Sequence, residues 1–106
     1  MMKISIDFDG VIHDYKNPIP GRKMGLPILG SKAALIQIKK MGYDIIVFST
    51  WATGNGVGAI CNFMNYYGLP FDKITNVKED CDYYIDDKAI EFKGWKETLP
   101  KIKDRV

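Results

Sequence analysis

Ile4-Ser5-Ile6-Asp7-Phe8-Asp9-Gly10-Val11-Ile12 is the stretch on which the reading of this chain turns. Ile4, Ile6 and Phe8 alternate with Ser5 and Asp7, the period-two pattern of a β-strand. The strand then delivers two carboxylates, Asp7 and Asp9, where Gly10 lets the backbone turn sharply. Two like charges about 4 Å apart, at an effective dielectric of about 20, repel by about 4 kcal/mol. An apolar strand gains nothing from ending on such a pair. Either a divalent cation offsets the repulsion, or the acids cap backbone N–H groups in a plain acidic turn.

Beyond this strand, Val11 to Gly30 holds Pro18, Pro20 and Pro27 with Gly21, Gly25 and Gly30, a density that forbids a long regular element. A connection of about twenty residues inside a small domain is more often functional than idle. It carries the chain's one histidine, His13, whose plain reading is a solvated loop side chain. Ser31 is the expected N-cap of a helix to about Met41, with Ala34, Leu35, Ile38 and Met41 on one face and Gly42 as its stop. Asp44-Ile45-Ile46-Val47-Phe48 reads as a strand buried on both faces, as in a parallel sheet, and it ends in Ser49-Thr50-Trp51. The turn Thr53-Gly54-Asn55-Gly56-Val57-Gly58 leads into a helix whose face, Ile60, Phe63, Met64 and Tyr67, reads as core. That turn is either an anion-binding helix start or a flexible loop. Gly68 and Pro70 end the helix, Phe71 to Val77 contains a short strand, and Asp82-Tyr83-Tyr84-Ile85 leads to Asp86-Asp87. A terminal helix is expected to begin near Pro100.

This order of elements predicts one α/β domain over residues 1–106, Rossmann-like, three-layered, with a mainly parallel sheet. A length of 106 residues, 46% hydrophobic and 26% charged, suits a single-domain globular chain. A net charge of +2 is too small to point to nucleic acid or an acidic membrane surface. No run approaches the ~18 apolar residues of a membrane span. Cys61 and Cys81 form no Cys-x-x-Cys pair and read as buried free thiols in a reducing cytoplasm rather than a disulfide.

In open parallel sheets ligands bind beyond the carboxyl ends of the strands. Asp7 and Asp9, Ser49 and Thr50, and Asp86 and Asp87 each stand where an expected strand finishes, so all should meet in one crevice. Carboxylate oxygens with few nitrogens suit a hard cation, here Mg²⁺. A metal facing a hydroxyl and an ammonium, from Lys78, is a receptor for phosphate. One acid of the Asp7–Asp9 pair can then act as nucleophile and the other as proton carrier.

In this arrangement the sequence resembles the haloacid-dehalogenase-like (HAD) phosphohydrolases. The resemblance runs from Lys3 to about Ile90 and is strongest to short members that read Asp7-Phe8-Asp9-Gly10-Val11-Ile12-His13 as here. It implies that Asp7 is the nucleophile, forming an aspartyl-phosphate and binding Mg²⁺. Asp9 is implied as general acid/base and as donor of a backbone carbonyl to the metal. Ser49, with Thr50 as the alternative, would bind the phosphoryl oxygens beside Gly10. Lys78, with Lys73 as its rival, would pair with Asp7 and the phosphate, and Asp86 and Asp87 would complete the metal site. As a plain reading, Asp86-Asp87 could instead cap a following helix.

One departure stands out. Short relatives often carry arginine directly after the hydroxyl pair, where this chain has Trp51, either an aromatic platform for the leaving group or a core residue. There is no room for a cap domain, so only residues 14–30 could serve as a flap, and an open site of this kind can close by homo-oligomerisation. The expected activity is hydrolysis of a phosphate monoester; the alternative is a non-catalytic module binding metal, phosphate or a partner. A receiver-like signalling domain fits less well, because its accepting aspartate ends a middle strand. Nothing in the sequence chooses among sugar phosphates, nucleotides and nucleic-acid ends. Lys93, Lys96, Lys101, Lys103 and Arg105 are interrupted by Glu91, Glu97 and Asp104, the pattern of a solvated face.

Overall fold

The opening run forms β1 (Lys3–Asp7) in a computed structural model that describes residues 2–22 and 24–103. It is followed by α1 (Ser31–Lys40), β2 (Asp44–Phe48), α2 (Asn55–Tyr66), β3 (Lys73–Thr75), β4 (Tyr83–Ile85) and α3 (Trp95–Lys103). The sheet order is β3-β2-β1-β4, and every pairing is parallel. The chain is thus a single α/β, Rossmann-like domain. β1 is central, with Ile4 opposite Ile45 on one side and Tyr83 on the other.

Parallel register places Ile4 and Ile6 on the same face as Ile45 and Val47. Consecutive right-handed crossovers that move in one direction along a sheet put their helices on one face. The core agrees: Leu35 of α1 and Ile60, Phe63 and Met64 of α2 cluster with those four strand residues. The opposite face carries Ser5 and Ile46, both buried. The β3–β4 connection is tied to β4 where the Tyr84 hydroxyl donates to Glu79 O (2.6 Å) and accepts from Cys81 N (2.9 Å). The segment between Thr75 and Tyr83 holds no helix, so β3 and β4 are joined by a connection without one.

Three local expectations are corrected. Gly30, in the left-handed region at φ 90°, caps α1, while Ser31 is the first helical residue and its hydroxyl reaches Ile12 O (3.4 Å). On α1, Leu35 is buried but Ala34 and Met41 are exposed, since no element covers the flank of α1 towards β4. α2 starts at Asn55, so Gly56 and Gly58 lie inside it rather than in a turn.

Pro100 lies within α3 rather than at its start. The helix begins earlier, where Thr98 N and Oγ1 both donate to Gly94 O, at 3.1 and 2.8 Å. α3 buries Thr98 and leaves Trp95, Leu99 and Ile102 exposed. Asp104 and Arg105 of the basic tail lie outside the described residues. No helix among the described residues is long and apolar enough to cross a membrane. Cys61 and Cys81 are free, as expected, but half-buried rather than buried.

The segment 14–30 folds back as a strap. Asp14 N donates to Leu26 O (3.0 Å), Ile19 N to Met24 O (3.0 Å) and Ile28 N to Ile12 O (2.8 Å). Gly25 has no substitute there, because a Cβ would collide with Asp14 O.

Ile60, fully buried where α2 meets the sheet, is a test of the one-sided core. Ile60→Ala should lower unfolding free energy by about 2–5 kcal/mol in chemical denaturation. A loss near that of a surface substitution would show that α2 does not anchor the core.

Candidate active site

β1 runs to Asp7, and Phe8 extends it by one bond, its N–H donating to Phe48 O at 2.9 Å. The Phe8 ring is fully buried and lies 4.4 Å from the His13 ring, 5.8 Å from that of Trp51 and 5.2 Å from that of Phe63. Because side chains alternate along extended chain, anchoring Phe8 inward turns Asp7 and Asp9 towards the strand ends. A cleft of about 260 Å³ opens there, lined by Asp7, Asp9, Ser49, Thr50, Asp86 and Asp87 together with Tyr15, Phe48 and Lys88. All three residue pairs expected to converge do so. The crevice lies at β1, where the strand order reverses towards β4.

The two acids of the first motif occupy different environments. Asp7 points at Asp86 and Asp87, and one carboxylate oxygen from each of the three lies within 4.8 Å of the others. Burial first, then the charge and hydrogen bonding of Asp86 and the charge of Asp87, push the Asp7 carboxyl up to about 6, while Lys78 pulls it down. Oxygens bound to one octahedral Mg²⁺ at about 2.1 Å stand about 3–4 Å apart. The cluster therefore fits a small hard cation with slight side-chain adjustment.

Asp9, by contrast, faces donors. His13 Nε2 lies 2.6 Å from Oδ1, Trp51 Nε1 lies 2.8 Å from Oδ2, and Ser49 Oγ lies 3.0 Å from Oδ2. Its side chain stands outside the acidic cluster, so any part it takes in a metal site would be through its backbone carbonyl. About a third of it remains exposed (34%), which keeps the carboxylate open to the cleft.

Several residues differ from expectation. His13 is not solvated but 1% exposed. Its Nδ1 accepts from Gly25 N–H (3.2 Å), so Nε2 carries the hydrogen that Asp9 accepts. Trp51 is half-buried and packs on Phe8, while its N–H donates to Asp9, a contact that neither reading of it included. Ser49 is buried and engaged with Asp9, whereas Thr50 is the exposed hydroxyl residue in the cleft. Lys78 makes no ion pair with Asp7 among the described residues; its Nζ lies 5.2 Å from the Tyr84 ring centroid. Lys73 pairs with Glu79 at 3.0 Å. The lysine lining the cleft is instead Lys88, with Nζ 5.6 Å from the Tyr15 ring. Its position directly after Asp86-Asp87 was the available signal. Asp86 accepts from Lys88 N–H at 2.7 Å, closing a turn rather than capping a helix. The glycines near the start of α2 do not line the cleft.

Gly10 is required twice over. Its φ is +85°, and a Cβ would collide with Asp87 Oδ2 and come within 2.9 Å of Tyr15 Cε1.

No family model matches the sequence, and no curated protein matches it either. Among solved structures the chain resembles a conserved protein from Bacteroides thetaiotaomicron, with 22% identity and a TM-score of 0.69. The likeness covers 99% of this chain and 92% of that one. At this identity it shows a shared fold.

Two predictions follow from the cluster. The folded Asp7 carboxyl holds its proton up to about pH 6, against an ordinary value of 3.8. Folding is thus favoured most below 3.8, and that contribution is lost as pH rises through about 6. Without divalent ions, Asp7→Asn should melt above the wild type at pH 7.5, and the difference should vanish below about pH 4. Equal melting at pH 7.5 would contradict the crowding of the three acids. Second, a divalent cation that binds this cluster should bind about tenfold or more weaker to Gly10→Ala by calorimetry, since left-handed strain of about 1–2 kcal/mol adds to displacement of Asp87. Unchanged affinity would remove Asp87 from the cation site.

Proposed function

We propose that this protein is a Mg²⁺-dependent phosphatase of the HAD type that hydrolyses a phosphate monoester through an aspartyl-phosphate. The observation that carries the reading is the approach of Asp7, Asp86 and Asp87 from two neighbouring strand ends, beside a second carboxylate held by donors. Three acids gathered in one cleft repel one another, and a cation among them would offset that repulsion. The cation would be held by Asp7, Asp86, Asp87 and the Asp9 carbonyl, and would supply neutralisation of phosphate charge.

The remaining chemistry belongs to side chains. An oxygen of Asp7 forms a bond to phosphorus as the ester P–O bond breaks, and Asp9 gives the departing oxygen its proton. Water then attacks phosphorus, the bond to Asp7 breaks, and Asp9 takes the proton from water. His13 and Trp51 act as positioning residues, because their N–H groups hold the Asp9 carboxylate in one orientation. Thr50 and the backbone at Gly10 face the phosphoryl oxygens, with Ser49 behind Asp9. Lys88 is the nearer ammonium in the cleft lining and Lys78 the more distant one. Two free thiols support a cytoplasmic setting.

A binding module without turnover is the second reading. It is favoured by the three donors that occupy Asp9 and by Trp51 standing where short relatives often place arginine.

Assay of an aryl phosphate with Mg²⁺ separates the two. Wild-type turnover should fall to background in Asp7→Asn, with the circular dichroism spectrum unchanged. Activity surviving in Asp7→Asn would exclude Asp7 as nucleophile, and a wild type that binds Mg²⁺ but turns over no phosphate ester would leave the binding module.

A further inference from the structure

A cavity larger than the acidic cleft lies beside it. It lies between α2 and the strap, holds about 490 Å³ and is walled by Trp51, Phe63, Tyr66 and Tyr67 with Ile19 and Met24 of the strap. A volume of this size suits a small ligand. Its rings are not all consumed in packing. Phe63 is buried and Tyr67 half-buried, but Tyr66 is 81% exposed. The Tyr66 and Tyr67 rings meet edge to face at 4.9 Å, and both residues line the cavity. Among the described lining residues Arg22 alone is charged.

Trp51 joins this cavity to the chemistry. Its indole forms part of the cavity wall, while the N–H of the same ring donates to Asp9 at 2.8 Å, and Asp9 lines the acidic cleft. A group leaving the phosphate with a proton from Asp9 thus stands one indole ring away from an aromatic cavity. The strap is tied to the same place through Gly25, a lining residue whose N–H donates to His13 Nδ1.

We propose that this cavity receives an aromatic ring carried by the alcohol half of the substrate, so that phosphomonoesters of ring-bearing alcohols are preferred. The inference rests on the phosphatase reading for its reaction but not for its binding. Stacking and edge-to-face contacts with Trp51 and Tyr66 supply the attraction. Arg22 adds a cation over the ring or a donor to its acceptor atoms.

The test compares esters with similar leaving groups, with and without a ring. Nucleoside monophosphates are set against ribose phosphate, and phenylethyl phosphate against butyl phosphate, which separates a heterocyclic base from a plain aryl ring. The ring-bearing member should show kcat/KM higher by about tenfold. That advantage should shrink in Tyr66→Ala and in Ala59→Trp, whose new ring fills the cavity from α2; neither residue belongs to the buried core. An advantage absent in the wild type, or unchanged in both variants, would overturn the proposal. Binding is read separately in a Trp95→Phe background, where Trp51 is the remaining indole. Adenosine and phenylethanol should each be titrated against its fluorescence with Mg²⁺ present. Saturable quenching lost in Ala59→Phe, whose ring fills the cavity without adding an indole, with no turnover of any ester, would uphold the cavity and sink the phosphatase reading. Turnover with no ring preference and no quenching would do the reverse.

Discussion

The parallel pairing of β1 with β2 on one side and β4 on the other is the constraint on which the site depends. A parallel strand cannot return through a hairpin, so each neighbour of β1 enters the sheet from the same end and finishes at the same edge. That geometry brings Asp86 and Asp87, far from Asp7 along the chain, into one cluster with it. It also sets Ser49 beside Asp9. β4 is short and exposed, yet its register with Ile4, Ser5 and Ile6 determines how near the second acidic pair comes to the first. Burial of β1 against β2, α1 and α2 makes that register costly to slip, because a shift of one residue would turn Ile4 and Ile6 out of the core.

Within this frame the fully buried Phe8 ring separates two carboxylates that are almost adjacent in sequence. Asp7 lies among like charges and takes up its proton well above the ordinary carboxylate range. Asp9 lies among N–H and O–H donors from three places in the chain: His13, Ser49 and Trp51. Such contrast between neighbouring acids is how one site assigns different tasks to the same functional group. The strap takes part as well. Its Gly25 N–H fixes the His13 ring, so the segment that could serve as a flap is coupled to the orientation of Asp9.

What was hard to read in the sequence was the surroundings of the motif. His13 looked like a loop residue because Pro and Gly crowd the segment after it. It is buried because the strap folds back over Phe8, a non-local event with no periodic signal. Trp51 was divided between core and site for a similar reason, since one face of the indole packs while its N–H bonds. Which lysine reaches the cleft depends on side-chain reach, which position along the chain does not give. Lys78 lies against Tyr84, and Lys88 lines the cleft. α3 starts earlier than Pro100 suggests because its first turn is held at Gly94, and α2 begins directly after Gly54.

By itself the sequence determined the alternation of strands and helices, the parallel sheet, and which carboxylates and hydroxyls end its strands. These are local properties: period, turn residues and the position of an acid after an apolar run. The tertiary structure alone decided that Asp9 faces donors while Asp7 faces acids, and that Trp51 stands between an acidic cleft and an aromatic cavity. Each depends on which side chains meet across the sheet edge. Those meetings depend on how the strap and α2 pack in space, which spacing along the chain does not encode.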